Sequence, residues 1–312
     1  MTVGAAGRRS FSWSRWPEGE AMVKTVLVPL DGSPAAESVL PYVEMVASRT
    51  GATVHLLTVV REEEEASQVG ETFAYLEKKA EELRARSLSC STEATAGDEA
   101  HVILAEAEKK GADLIAMSAH GRSGLMRWVL GSVAAKVVHG TSRPLLLVRA
   151  REPEERPLAH IDRIVVPLDG SELSLSVLPY VEEMAAALGA SLVLYNAVPP
   201  LDVYPGAELT PARVGGVIDD LLGQGRSFLA QVAGEIEARG KVKARSVVTI
   251  GFPVDEIVRV AQEVSAGLIA MATHGRSGVN RWVMGSVADG VVRRSSLPCL
   301  LVRPEQASQE QA

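Results

Sequence analysis

Val28-Pro29-Leu30-Asp31-Gly32-Ser33 returns as Val166-Pro167-Leu168-Asp169-Gly170-Ser171, and this repetition decides the architecture. Outward from it the likeness continues. Ser38–Glu44 returns as Ser176–Glu182, His120–Gly124 as His274–Gly278, and Gly131–Ala134 as Gly285–Ala288. The earlier matches lie 138 residues apart and the later ones 154, so the second copy carries a net insertion of 16 residues. The Pro/Gly-rich stretch Pro199–Gly225 is its evident place and reads as a loop. Repetition on this scale means that one folding unit is used twice, and 312 residues suit two domains. The copies are expected over residues 22–150 and 160–304. Residues 151–159, with Pro153, Pro157 and three glutamates, read as a linker. Residues 1–21 read as a disordered extension and 305–312 as a disordered tail.

Within each copy two patterns alternate. Thr25–Leu30 is a short, β-branched apolar run and predicts a buried strand. Ser33 can cap the helix expected over Ala35–Arg49, Pro34 suits its first turn, and Gly51 ends it. Strands follow at Thr53–Val60, Leu88–Ala94, Leu114–Met117 and Leu145–Val148. Helices are expected between them at Glu71–Arg86, Asp98–Lys110 and Val129–His139. This order gives an α/β fold of two tandem doubly wound, mostly parallel five-stranded sheets with helices on both faces. The last strands, Leu145–Val148 and Cys299–Val302, are apolar and would leave open edges. The halves should therefore pack as an internal pseudo-dimer; a homodimer of the whole chain stays open.

Hydrophobic residues make up 46% and charged residues 23%, ample for two cores, and the net charge is −7. The acidic balance argues against a nucleic-acid partner or an anionic membrane surface. No apolar run is long enough to span a bilayer, and Met1–Glu20 lacks the apolar stretch of a signal peptide. Cys90 and Cys299 occupy unrelated places in the two copies, so no disulfide framework or zinc site is expected. A reducing, cytoplasmic setting is the default.

In a doubly wound sheet, ligands bind beyond the carboxyl ends of the strands, where the strand order reverses. Asp31 and its twin Asp169 directly follow the first strand of each copy. Such a carboxylate can accept hydrogen bonds from a ribose hydroxyl; equally, Asp-Gly-Ser can be only a turn and a cap. The loop after the fourth strand carries Gly121, then Gly131-Ser132, with Gly275 and Gly285-Ser286 in the second copy. The first glycine lets backbone approach a ligand, and Gly-Ser opens a helix whose free N–H groups favour a phosphate. His120 and His274 form no recognisable catalytic set with their neighbours. Trp128 and Trp282 are read as packing residues. Arg122, Arg127, Arg276 and Arg281 are open between phosphate contact and solvent.

Both copies resemble the universal stress protein family, over nearly the whole span Met22–Arg303. The family's nucleotide motif is Gly-x2-Gly-x9-Gly-Ser/Thr. Its second and third glycines match Gly121 and Gly131, then Gly275 and Gly285, whereas Ser118 and Ala272 replace its first. The resemblance implies an adenine-nucleotide alpha-hydrolase-like fold and an ATP site, with or without Mg, in one or both copies. It implies that Asp31 and Asp169 contact the nucleoside, that Val54 and Leu192 line the adenine pocket, and that Met117 and Met271 sit beside the base. Ser132-Val133 and Ser286-Val287 would hold the phosphates. No P-loop or kinase motif is present, so the expected function is regulation by occupancy, with slow ATP hydrolysis or a nucleotide-free structural module as the alternatives.

Overall fold

The computed structural model describes residues 23–60, 66–119, 130–149, 160–200, 211–275 and 284–304, without the side chains of 66–69 and 211–214. The first half runs β1 (Thr25–Pro29), α1 (Pro34–Glu37), α2 (Leu40–Thr50), β2 (Thr53–Val60), α3 (Ala66–Arg84), β3 (Cys90–Ala96), α4 (Glu99–Lys109), β4 (Leu114–Ser118), α5 (Ser132–Gly140) and β5 (Leu145–Val148). The second half repeats it with β6 (Arg163–Pro167), α6 (Glu172–Leu175), α7 (Leu178–Leu188), β7 (Ser191–Val198), α8 (Pro211–Ala238), β8 (Ala244–Ile250), α9 (Pro253–Glu263), β9 (Leu268–Ala272), α10 (Ser286–Arg294) and β10 (Cys299–Val302).

The two expected five-stranded sheets are one. The ten strands form a continuous sheet in the order β3-β2-β1-β4-β5-β10-β9-β6-β7-β8. Within each half all pairings are parallel; only β5 and β10 pair antiparallel. Leu146 faces Leu300, its own counterpart in the repeat, with Leu145 opposite Leu301 and Leu147 opposite Cys299. A pairing in which the central residue meets its own equivalent and the flanking residues exchange partners symmetrically is the signature of a two-fold, isologous contact. Both strands are buried along their whole length, so the apolar edges seen in the sequence are covered by each other.

Strand alternation sends Val26 and Val28 to one face and Leu27 to the other. Each face carries a single hydrophobic core with members from both halves: one holds Val26, Leu146, Ile164 and Leu300, the other Leu27, Leu147, Val165 and Leu301. Helices α2 and α7 also pack on each other across the junction. Two arginines reinforce it. Arg149 donates to Ser295 O at 3.4 Å, and Arg303 to His139 O and Thr141 O at 3.0 and 3.2 Å. Each follows the last strand of its half and meets the carboxyl end of α10 or α5 in the other half, where cations are favoured.

Two local expectations need correction. The helix expected over Ala35–Arg49 is split, because Pro41 has no N–H to give to the preceding turn. Ser38 N–H and Val39 N–H instead donate three residues back, to Ala35 O and Ala36 O at 3.3 and 3.4 Å, and Pro179 imposes the same break on α6 and α7. The stretch Pro199–Gly225 is not simply an inserted loop. From Pro211 it is helical, so α8 has 28 residues where α3 has 19. Gly51 and Gly189 end α2 and α7 in the left-handed conformation that favours glycine, with φ of 73° and 71°. The extension, the linker and the tail lie outside the described residues.

A Leu300→Ala substitution removes a fully buried side chain from the seam between the halves, and a cost of about 2–5 kcal/mol is expected. Because each core spans both halves, calorimetry should show one transition shifted down as a whole. A first half that melts independently at the parent temperature would count against a single cooperative sheet.

Candidate functional site

The sheet order places β6 between β7 and β9, so the chain leaves β6 on one side and returns on the other. At their carboxyl ends lies a cavity of about 540 Å³. Asp169 follows β6 and lines it. The Asp-Gly-Ser turn does form: Ser171 N–H and Oγ–H donate to Asp169 Oδ1 at 2.9 and 2.6 Å, and Gly170 takes φ 84°. Ser171 Oγ in turn accepts from Ser174 N–H and caps α6. Turn and site are thus compatible, since the turn fixes one carboxylate oxygen and thereby aims the group. Asp31 repeats this geometry with Ser33, again at 2.9 and 2.6 Å.

Gly275 lies against this carboxylate. A Cβ there would stand 2.4 Å from Asp169 Oδ2, so glycine is what lets the loop after β9 close on the aspartate. Gly285 opens α10 with its N–H bonded to Thr273 O at 2.8 Å, and a Cβ there would meet the same carbonyl at 3.1 Å. No side chain caps α10. Its first turn, Ser286, Val287 and Ala288, lines the cavity, and N–H groups at this position have no partner within a helix. Gly131 opens α5 in the same way, bonded to Ala119 O at 2.9 Å and again without a side-chain cap. Met271, buried at the end of β9, also lines the cavity.

Leu192 does not. It sits near the start of β7, opposite Ile164, fully buried in the core, and Val54 holds the equivalent place opposite Val26. A strand rises about 3.3 Å per residue, which leaves Leu192 several residues short of the carboxyl end. The lining from β7 is Tyr195, Asn196, Ala197 and Val198 instead. Asn196 Nδ2 donates to Leu168 O at 2.7 Å and steadies the residue before Asp169; Thr58 Oγ1 does the same for Leu30 O at 2.8 Å. In the first half Met117 is buried at the end of β4, and Ser132 and Val133 begin α5. Gly121, with His120, Arg122, Arg127, Trp128, Arg276, Arg281 and Trp282, falls outside the described residues.

The wall that sequence reasoning missed comes from α8: Leu221, Gln224, Gly225 and Phe228. Their spacing is that of one helical face, a signal hidden for Leu221, Gln224 and Gly225 while Pro199–Gly225 was read as a loop. A Cβ on Gly225 would meet Asn196 Oδ1 at 2.9 Å, so this glycine brings helix and strand close together. The first half is walled differently. Leu76 and Leu229 are the equivalent fully buried residues of α3 and α8, and counting from them Tyr75 stands where Phe228 does. The Tyr75 hydroxyl donates to Glu37 Oε1 at 2.9 Å, and Lys79 pairs with Glu37 Oε2 at 2.8 Å. Burial, then the bond to Glu37, then nearby carboxylates including Asp31 push the Tyr75 phenol up. The second half has Leu175 and Val232 where the first has Glu37 and Lys79. Its own polar chain runs from Tyr195 through Thr249 to Glu256, at 2.7 and 2.6 Å. Burial holds the Tyr195 phenol neutral, pushed up to about 12.

Among the described residues, no group of three or more His, Cys, Asp or Glu could hold a metal ion, and no helix is long and apolar enough to cross a membrane. A family profile described as "Universal stress protein family" matches residues 22–149 and 160–303. Universal stress protein MJ0531 of Methanocaldococcus jannaschii is 33% identical over 142 residues, covering 45% of this chain and 81% of that protein. Universal stress protein Mb2028c of Mycobacterium bovis is 24% identical over 199 residues, covering 62% of each chain. A crystal structure of a universal stress protein from Archaeoglobus fulgidus matches with a TM-score of 0.67 at 20% identity, over 90% of this chain and 97% of the other, a likeness of fold.

Gly275→Ala should displace the Asp169 carboxylate, because the new methyl needs its space, and cost about 1 kcal/mol through the strained Ser171 bonds. A crystal structure of the variant with the aspartate unmoved would contradict this packing.

Proposed function

The chain belongs to the universal stress protein family, and on that premise we propose that it is a regulatory module that binds ATP. The observation that carries the reading is a convergence. Asp169, Met271, Gly275, Gly285, Ser286 and Val287 come from three separate stretches of sequence and line one cavity. The Asp169 carboxylate would accept the ribose hydroxyls. The apolar wall of Val198, Phe228 and Met271 suits an adenine ring, as ligand pockets are mostly apolar with few polar groups. The first turn of α10 would take the phosphates through its N–H groups and the helix dipole. With no protein cluster to hold a cation among the described residues, Mg would arrive as the nucleotide's own counter-ion.

Among the described residues no group of three or more His, Cys, Asp or Glu could hold a metal ion for phosphoryl transfer, so occupancy is the signal in this reading. The halves 22–150 and 160–304 act as two units whose sites are unlike. The hydrogen-bonded Glu37–Tyr75–Lys79 cluster beside Asp31 favours a second reading for the first half, in which it contributes structure more than binding. Cytoplasmic residence fits the two free cysteines.

Calorimetric titration of the whole chain with ATP tests the proposal. Gly285→Leu, whose side chain would press on the Thr273 carbonyl, should weaken binding at the second half by at least about tenfold, roughly 1.4 kcal/mol. Gly131→Leu should act on the first half only, and the two sites should differ in affinity. A double variant that binds ATP as the parent does would refute the assignment.

A further inference from the structure

The sheet ends at β8, which pairs with β7 alone among the described residues. Lys243 O accepts from Leu192 N–H, and Gly251 N–H donates to Val198 O, so the odd-numbered residues turn their backbone to β7. Ladder alternation then turns the N–H and C=O of Ala244, Ser246, Val248 and Ile250 to the outer side. Edges of this kind are commonly blunted by charge. The opposite edge, β3, follows that rule: Glu93 stands mid-strand, paired with Lys109 and Lys110 at 2.9 and 2.6 Å. Matching registers make Ala244 the counterpart of Cys90, and hence Val247 the counterpart of Glu93. Ile250 and Phe252 likewise stand where the first half has Ala96 and Asp98. Asp98 caps α4 by accepting from His101 N–H at 3.0 Å, whereas Phe252 opens α9 without a side-chain cap and is 57% exposed. Ile250, close by in the chain, is 43% exposed. At this one edge the second half has lost a charge and a cap and gained exposed apolar groups.

We propose that β8 is the docking edge for a second copy of this chain, paired antiparallel about Val247. The outward backbone groups fit this register. Ala244 meets Ile250 and Ser246 meets Val248 in hydrogen-bonded pairs, while Val247 meets itself on the two-fold axis. Side-chain size agrees, since the exposed Ile250 comes opposite the small Ala244 of the second copy. Charge decides the direction. Lys241, Lys243 and Arg245 are exposed at the start of the strand, and the acids Asp255 and Glu256 follow its end in the first turn of α9. Antiparallel pairing sets the basic start of each copy against the acidic end of the other. Arg245 comes opposite Thr249, whose hydroxyl donates to Glu256 Oε2 at 2.6 Å, and Lys243 comes opposite Gly251. A parallel pairing would set like against like. The same contact made through β3 would oppose two Glu93 carboxylates, so the first half does not offer it. The inference does not depend on what the cavity binds.

Sedimentation of the full chain over a range of concentrations tests the proposal. The parent should pass from monomer to dimer at concentrations up to about 100 μM. Val247→Lys sets two like charges opposite each other and should abolish the dimer. Phe252→Asp removes apolar contact and restores the cap. The dimer should then weaken at least about tenfold, while the melting temperature of the monomer does not fall. The register has its own readout, in a Cys90→Ala background. There Val247→Cys should give a disulfide-linked dimer on mild oxidation, because the Cα atoms of a non-hydrogen-bonded pair lie about 4.5 Å apart. Arg245→Cys in the same background should not. A parent that stays monomeric, even if it takes up a foreign extended peptide, overturns the second copy as occupant. A dimer that survives Val247→Lys, or that cross-links through Arg245→Cys as readily as through Val247→Cys, overturns the interface.

Discussion

Everything in this molecule hangs on the antiparallel pairing of Leu146 with Leu300. Parallel α/β sheets bury their strands on both faces, and the closing strand of each half is short and wholly apolar. Left alone, such a strand would offer unpaired N–H and C=O groups to any chain it met. Meeting its own counterpart solves the problem for both halves at once. The two-fold relation also fixes where everything else lies. The parallel strands run in opposite directions on the two sides of the seam, so the two candidate sites lie at opposite ends of the strands.

The seam makes the halves one structural body. Each face of the sheet has a single core that runs through it. Arg149 and Arg303 reach across to the carboxyl ends of α10 and α5, whose amino ends are the candidate phosphate positions. One short helix thus joins each site to the opposite half. In the function proposed above, that route would connect a ligand at either site with the shared interface.

Duplication preserved the turn chemistry and let the walls diverge. Asp31 and Asp169 are held by the same two bonds from a serine, and Gly131 and Gly285 open their helices alike. Around this constant frame the surroundings exchanged character. The first half puts its polar network on the α1–α3 side, through Glu37, Tyr75 and Lys79; the second puts its own on the α9 side, through Thr249 and Glu256. Frame residues answer to backbone geometry that tolerates few substitutes. Wall residues answer only to the shape and polarity of what they face, and so they are free to differ.

The sequence by itself determined the fold class, the duplication and the aspartate–glycine frame, because these are written in local signals: apolar runs, caps, turn residues and their repetition. It also exposed the apolar last strands that had to find a partner. What it did not determine was depth and facing. Leu192 lies on β7 but too near its start to reach the cavity, and Val54 holds the equivalent place on β2. Only the strand register, a product of pairing between distant segments, shows that the lining falls to Tyr195–Val198. Leu221, Gln224 and Gly225 were concealed because they lie in a glycine-rich insertion, which reads as loop until packing against the sheet stabilises it as helix.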